Sequence, residues 1–362
     1  MPGVLTGRRL PAAMAALLIG CGHGDPFRVP DYGTQDPQQP GPVVRLTFND
    51  GHDRAPTWLP RDGGILYAYE RRDRPDRDGC LGELPGTGGQ RRWSACEGPT
   101  ARTDSNESLS WPVVSAGGQL AYLYERGSVL ALTFSPDVRR FVVTRLSDVS
   151  ARRVTLTLPD STDDGVLHAS VSHPRWLDED RLLYRADVYF ITRPPFCTAC
   201  PRDTLVSGRA IVLSTMGPGG VTRVTVPGTD YASSLDVAGT DTLFYTLGGD
   251  SRVLRRILST GVVDVIWDFA PEIARGVQVR DRRLVAVAGG TVRFGFEPGL
   301  PEPVQRDSGG VLQVVQLDSG VVRVIDIGLP IRHPALAASG RSVIVEAAVG
   351  RSTDLWSVVL DP

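Results

Sequence analysis

Histidine and arginine side chains recur at one point of a repeated sequence pattern, and their chemistry favours the binding of anions. Arginine stays charged and binds carboxylates through two parallel hydrogen bonds, and histidine gains its charge near neutral pH. We therefore predict a rim whose affinity for an anionic partner rises as the pH falls from about 7.5 to 6. The alternative is that these side chains hydrogen-bond to the neighbouring repeat. The candidate rim residues are His52, Asp53, Arg54, His173, Arg275, Arg332 and His333.

Signals for covalent catalysis are weak in this chain. All 39 basic residues are arginine, so no lysine can form a Schiff base or serve as a general base. No G-x-S-x-G sequence occurs, and the Asp-Ser-Gly-Gly sequence at residues 307–310 lies between predicted strands, where a turn is expected. We therefore predict no catalytic residues.

The five cysteines divide by position. Cys21 ends an apolar N-terminal run, and the other four cysteines form an even set. Cys80 and Cys96 flank a turn rich in glycine and proline, so we predict a disulfide across one hairpin. Cys197 and Cys200 form a C-x-x-C sequence. A local disulfide is favoured there, and a redox-active pair or half of a zinc site are the alternatives.

The N-terminus has the features of an export signal followed by a tether. Arg8 and Arg9 precede an apolar run at residues 10–20, which has the length of a signal-peptide core and is too short to span a bilayer. Residues 18–21 resemble the bacterial lipobox, which implies that Cys21 is acylated and becomes the first residue. The predicted organisation is a lipoprotein signal peptide at residues 1–20, an acylated cysteine and flexible tether at 21–42, and one folded domain at 43–362.

Internal repeats determine the predicted fold of that domain. The clearest copy, at residues 54–70, consists of Pro-x-Trp, an Asp-Gly turn and an apolar strand. Copies recur every roughly 40 to 60 residues, which is typical of a four-stranded propeller blade with its loops. Aligned on the proline, the six positions are Pro56, Pro112, Pro174, Ser233, Arg275 and Pro334.

A second hairpin follows most copies, so each unit is expected to hold four strands. The predicted second hairpins are residues 129–143, 210–226, 253–267 and 311–325. The last unit is one strand short, and residues 43–48 form a spare strand. We therefore predict an all-β fold, a six-bladed β-propeller closed by an N-terminal strand that joins the last blade.

The repeats resemble the TolB-type β-propeller repeat, whose core is roughly Pro-x-Trp-Ser-Pro-Asp-Gly followed by an apolar strand. Pro56, Trp58, Pro60, Asp62 and Gly63 match it, with one extra residue in the turn, whereas two copies lack both Pro and Trp. The resemblance implies that tryptophans pack between blades and that Asp-Gly forms turns at the opposite rim, which we expect to be the more acidic one. By analogy it also implies protein partners in the cell envelope.

A non-catalytic binding module for a protein, a peptide or another ligand is the function we predict. The near-neutral net charge of −2 favours no nucleic-acid partner, and we expect a monomer without cofactor or metal. Lipidation would anchor it to a membrane, most simply the outer membrane on its periplasmic side or its surface. The alternative is a channel enzyme such as a metal-dependent lactonase or a lyase, which needs several converging acidic or histidine side chains. The inner-strand positions show Ala, Pro, Trp, Val, Ser and Leu instead.

Overall fold

The fold consists almost entirely of β-strands. The computed structural model describes residues 42–48, 51–71, 74–99, 105–128, 136–158, 168–192, 203–290, 292–296, 303–349 and 352–360. Within these ranges, two short 3-10 turns, Pro60–Asp62 and Leu146–Ala151, interrupt the strands. Among the described residues, no helix is long and apolar enough to cross a membrane.

The first three blades follow an N-terminal strand, β1 (Val43–Arg45). Each blade is a four-stranded antiparallel sheet. Blade 1 comprises β2 (Asp53–Trp58), β3 (Ile65–Arg71), β4 (Arg74–Leu84) and β5 (Trp93–Ala95). Blade 2 comprises β6 (Ser105–Val114), β7 (Gln119–Ser128), β8 (Pro136–Arg145) and β9 (Leu156–Thr157). Blade 3 comprises β10 (His168–Trp176), β11 (Arg181–Thr192), β12 (Asp203–Gly217) and β13 (Gly220–Thr225).

The other three blades complete the ring and confirm the predicted six-bladed all-β propeller. Blade 4 comprises β14 (Ala232–Ala238), β15 (Thr242–Leu247), β16 (Arg252–Ile257) and β17 (Val263–Asp268). Blade 5 comprises β18 (Ala274–Arg280), β19 (Arg283–Ala288), β22 (Val311–Gln316) and β23 (Val321–Ile325), with an inserted hairpin of β20 (Val292–Phe296) and β21 (Pro303–Asp307). Blade 6 comprises β24 (Ile331–Leu336), β25 (Ser342–Val349), β26 (Ser352–Val359) and β1.

The N-terminal strand closes the ring, as predicted. β1 pairs antiparallel with β26 and is the outer strand of blade 6. The amide of Leu46 donates to the carbonyl of Leu355 at 2.7 Å, and the Leu46 side chain is fully buried. Arg45 binds the buried carboxylate of Asp354 at 2.6 Å. The first and last parts of the chain thus share one sheet, which joins the two ends of the ring.

Two repeat tryptophans and one turn aspartate connect neighbouring blades. The indole N–H of Trp58 donates to the carbonyl of Ala335 in blade 6 at 2.9 Å, and that of Trp176 donates to the carbonyl of Val113 in blade 2 at 3.1 Å. Asp62 accepts hydrogen bonds from the amides of residues 338 and 339 in blade 6, at 2.7 and 3.1 Å. The tryptophans therefore have the inter-blade role that the repeat pattern predicts, and Asp62 holds a blade contact as well as a turn.

Strand pairing corrects the alignment of the two weakest repeats. In every blade one inner-strand residue lies opposite a fully buried aliphatic residue of the second strand. These inner-strand residues are Trp58, Val114, Trp176, Val237, Val279 and Leu336. The proline position lies two residues earlier and falls on Leu235 and Val277. The sequence alignment on Ser233 and Arg275 was therefore wrong by two residues in blades 4 and 5.

Of two other sequence predictions, a hairpin is wrong and a disulfide is confirmed. The hairpin predicted at residues 129–143 is wrong, because β8 pairs with β7 and β9, and residues 129–135 lie outside the described residues. Cys80 on β4 and Cys96, just after β5, are joined by a disulfide with a Cα–Cα distance of 4.1 Å. Cys21, Cys197 and Cys200 lie outside the described residues, so their predicted roles stay predictions.

Candidate ligand-binding site

A neck of aromatic rings narrows the central channel. Five of the six innermost strands have a bulge at the same height, and the bulge residues Ala55, Trp111, His173, Gly276 and His333 have φ between 46° and 62°. A bulge redirects a side chain out of the normal strand alternation. The ring centroid of Trp111 lies 4.3 Å from that of His173 and 5.0 Å from that of His333. These rings leave a cavity of about 20 Å³, close to the size of one water molecule.

The fully buried carboxylate of Glu346 fixes one side of the neck. It accepts hydrogen bonds from Nε of Arg332 and Nδ1 of His333, each at 2.8 Å, and from the backbone amide of Ala55 in the next blade. Burial alone raises the pKa of Glu346. His333, Arg332 and the Ala55 amide oppose that effect more strongly and lower the pKa to about 2. The carboxylate is therefore a charged strut between blades 6 and 1.

Other predicted rim residues also have protein partners. Arg54 pairs with Glu70 at 2.9 Å, and Nδ1 of His52 lies 3.2 Å from the hydroxyl of Thr353. Nη2 of Arg275 donates to the carbonyls of residues 289 and 309 at 2.9 and 2.7 Å. Asp53 is fully buried. The structure thus brings His173 and His333 together, whereas it binds the rim arginines to internal acceptors.

The pKa values of two histidines lie outside the range that the rim hypothesis needs. Burial, then Arg54 and Arg332, lower the pKa of His52 to about 4. Burial, then Arg185 and His333, lower the pKa of His173 well below its ordinary value. Neither side chain gains charge between pH 7.5 and 6, so the expected pH dependence is wrong for these two residues.

A larger cavity, which we call the cup, lies below the neck at the carboxyl ends of the innermost strands. Its volume is about 470 Å³, within the range of small-molecule sites. The ring of residues just below the neck comes from equivalent positions of the six innermost strands. These residues are Thr57, Val113, Arg175, Asp236, Gln278 and Ala335. The cup is thus on the side of the channel opposite to the predicted rim.

One buried carboxylate organises the polar side of the cup. Asp236 has no exposed surface; its Oδ1 accepts from Nε of Arg175 at 3.3 Å, and its Oδ2 accepts from Nη1 of Arg280 at 2.7 Å. The amide of Val279 also donates to Oδ2 at 2.8 Å. Three adjacent blades, 3, 4 and 5, therefore meet at this carboxylate.

Two arginines share that single carboxylate, so the polar side keeps one excess positive charge. Burial lowers the pKa of Arg175; Asp236 opposes this effect, and Arg280 adds to it. Nη2 of Arg175, and Nε and Nη2 of Arg280, have no hydrogen-bond partner within the described part of the chain. These N–H groups can donate to an anion without breaking an existing contact.

The opposite side of the cup is mainly apolar, with the hydroxyl side chains of Thr57 and Ser115 also in its lining. Blades 6, 1 and 2 line it with Ala335, Leu336, Trp58, Val113 and Val114. At the mouth, Arg61 is exposed, and the carboxylate of Asp62 is held by backbone amides of blade 6. The cup lining itself holds three arginines and one carboxylate. The expectation that the turns at this end form the more acidic rim concerns other residues and stays a prediction.

Sequence reasoning missed this site because its residues come from three different repeats. Arg175, Asp236 and Gln278 occupy one equivalent position, but the shifted alignment of blades 4 and 5 hid that equivalence. Alignment on the buried aliphatic residues of the second strands would have placed the three side chains together. Among the described residues, no group of three His, Cys, Asp or Glu side chains is placed to hold a metal ion.

Solved structures with a similar fold are diverse. A puromycin hydrolase S511A mutant complexed with PGG has a TM-score of 0.51 and 16% identity; the match covers 90% of this chain but only 46% of the hydrolase. The RRP9 WD40 repeats have a TM-score of 0.52 and 10% identity, and the match covers 88% of this chain and 97% of that one. TolB from Acinetobacter baumannii has a TM-score of 0.48 and 12% identity, and the match covers 83% of this chain and 64% of TolB. No protein-family model and no curated protein matches the sequence. At these identities, the likeness shows the β-propeller fold alone.

Proposed function

We propose that this propeller is a binding module and that its cup receives the anionic group of a ligand. The observation that carries the proposal is the shared carboxylate of Asp236, which leaves Arg175 and Arg280, on the wall of a cavity, with N–H donors that no described residue uses. A ligand carboxylate could accept from both guanidinium groups, because such charge-assisted hydrogen bonds are the strong ones in proteins.

The cup supports this role better than the rim does. Arg54 and Arg332 at the rim already pair with Glu70 and Glu346. Each rim arginine faces a carboxylate of its own, so these pairs are balanced in charge, whereas the two cup arginines share one carboxylate. In the cup, an anion meets donors that have no protein partner within the described residues, so it displaces water and leaves existing salt bridges intact.

Membrane anchoring through Cys21 is the second part of the proposal and rests on the sequence. The lipobox after a short apolar run supports acylation, and two or three acyl chains hold a protein firmly on a bilayer. The anchored propeller would present the cup to an envelope partner or ligand. Cys21→Ser should abolish labelling by a fatty-acid analogue and release the protein from the membrane fraction; continued labelling would refute the assignment.

A matched pair of variants tests the binding role. Arg280→Gln removes one positive charge from the cup. Arg282→Gln, two positions along the chain, removes one positive charge from an exposed pair with Asp318. We expect calorimetric titration with benzoate to show binding to the wild type and to Arg282→Gln, and at least tenfold weaker binding to Arg280→Gln. Equal affinities for both variants would contradict the proposal.

A further inference from the structure

The cup has two chemically different sides that face one another across a single cavity. Blades 3, 4 and 5 supply Arg175, Asp236 and Arg280, whereas blades 6, 1 and 2 supply mainly aliphatic and indole groups, besides Thr57, Arg61 and Ser115. A simple anion such as sulfate would use only the first side. The apolar side would then stay in contact with water, which is unfavourable for that surface.

The charges on the polar side select the valence of the ligand. Two guanidinium charges against one carboxylate charge leave a single positive charge near Asp236. A monoanion neutralises that charge, whereas a dianion would bring a second negative charge close to the Asp236 carboxylate. Because Asp236 is fully buried, little solvent screens it from a bound anion.

The donors on the polar side suit a planar oxyanion. Nη2 of Arg175 and both Nε and Nη2 of Arg280 are unused within the described residues, and the fork of a guanidinium matches the two oxygens of a carboxylate. Gln278 reaches the same wall; its Oε1 accepts from the amide of Leu336 at 3.2 Å. Its amide nitrogen adds a neutral donor beside the arginines.

We infer that the ligand class of the cup is a monocarboxylate with an apolar body, a deeper form of the binding role proposed above that rests on that role. The carboxylate lies between Arg175 and Arg280, and the apolar body contacts Trp58, Val114 and Leu336. This chemistry is offered by a free aliphatic or aromatic acid and by a peptide that ends in an apolar residue. The neck closes the cup at its inner end, so the ligand enters from the face with the turns of the innermost hairpins.

A chain-length series separates this inference from the general binding role. The full-length protein in detergent, or its Cys21→Ser variant, is titrated with acetate, butanoate and hexanoate, with hexan-1-ol as the uncharged control. We expect affinity to rise about two- to fourfold for each added methylene, as partial to full burial of that group predicts. Hexan-1-ol should bind at least tenfold more weakly than hexanoate.

Two variants assign the effect to the two sides of the cup. Arg280→Gln should weaken every acid at least tenfold. Val114→Ser should weaken hexanoate about threefold and leave acetate unchanged, while Val224→Ser, on the exposed outer strand β13, should change neither. An acetylated Ala-Leu dipeptide and its C-terminal amide show whether a peptide carboxylate is accepted; stronger binding of the dipeptide than of hexanoate identifies a peptide end as the natural source.

The possible failures have different meanings. If acetate and hexanoate bind equally well and both depend on Arg280, the ligand class is wrong but the binding role stands. If no acid binds, or if Arg280→Gln binds like the wild type, both the ligand class and the binding role are wrong.

Discussion

Arg175 and Arg280 come from innermost strands two blades apart and bind opposite oxygens of the same carboxylate, at 3.3 and 2.7 Å. The strand between them supplies that carboxylate, Asp236, which is fully buried. The arrangement joins three blades and at the same time leaves part of each guanidinium without a partner among the residues that the structure describes. One contact therefore contributes both to the stability of the ring and to the charge of the cup.

Replacement of Asp236 should separate these two contributions. Asp236→Asn leaves Arg175 and Arg280 without an ionic partner, so the free energy of unfolding should fall by about 2 kcal/mol; this is less than for a fully buried pair, because both arginines are partly exposed. Affinity for benzoate should rise, because the repelling carboxylate is gone. Urea unfolding and calorimetry measure the two effects.

The exposed pair of Arg282 and Asp318 offers a matched control for that variant. Asp318→Asn should change stability by less than about 0.5 kcal/mol, as is usual for surface sites. A stability loss at Asp236 no larger than at Asp318, together with unchanged benzoate affinity, would show that the shared carboxylate has neither role.

Glu346 should make stability depend on pH in the acid range. Its pKa in the folded state, about 2, lies below the ordinary 4.5. A carboxyl group with a lowered pKa stabilises the fold above its unfolded-state pKa and loses that contribution as the pH falls through the folded-state value. The stability advantage of the wild type over Glu346→Gln should thus shrink by roughly 3 kcal/mol between pH 5 and 2.

Denaturant unfolding at several pH values checks this expectation. Glu125, whose pKa is raised chiefly by its burial, gives a useful comparison, because Glu125→Gln should not show the same loss of advantage. A constant difference between wild type and Glu346→Gln down to pH 2 would mean that Glu346 is not the charged strut of the neck.

Ring closure by β1 predicts a sharp boundary for N-terminal deletions. Removal of residues 22–39 should leave the melting temperature unchanged, whereas removal of residues 22–48 takes away the outer strand of blade 6 and the buried Leu46. The milder variant Leu46→Ala should lower stability by about 3 kcal/mol through the cavity it leaves. Thermal unfolding followed by circular dichroism measures all three variants. Identical melting temperatures for the two deletions would disprove ring closure by β1.

The sequence predicted the fold well where the same residue type recurs in several repeats. It did not predict the candidate site, because the residues of that site come from different repeats. Trp58 and Trp176 mark their blades, and both indoles donate between blades as the pattern predicts. The buried residues opposite them have no distinctive type, so blades 4 and 5 were aligned two residues out of register. Because Arg175 and Asp236 matter only as a pair across blades, no single repeat contained the signal for the cup.

Cysteine pairing tests the remaining covalent predictions. Peptide mapping without reduction should recover Cys80 bonded to Cys96, as the structure has them, and Cys197 bonded to Cys200. In the chain-entropy model, closing a loop of this size stabilises the fold by about 3 kcal/mol, so Cys80→Ser with Cys96→Ser should unfold at lower denaturant. Free thiols at positions 197 and 200 would favour the redox or zinc alternatives instead.

The position of a bound acid tests the central claim most directly. A crystal of the protein soaked with 4-bromobenzoate locates the ligand by anomalous scattering from bromine. We expect the bromine against the apolar side of the cup and the carboxylate at about 3 Å from the free nitrogens of Arg175 and Arg280, beside Asp236. A ligand at the rim beside His52 and Arg54, or a cup that stays empty at a concentration that saturates binding in solution, would contradict the account.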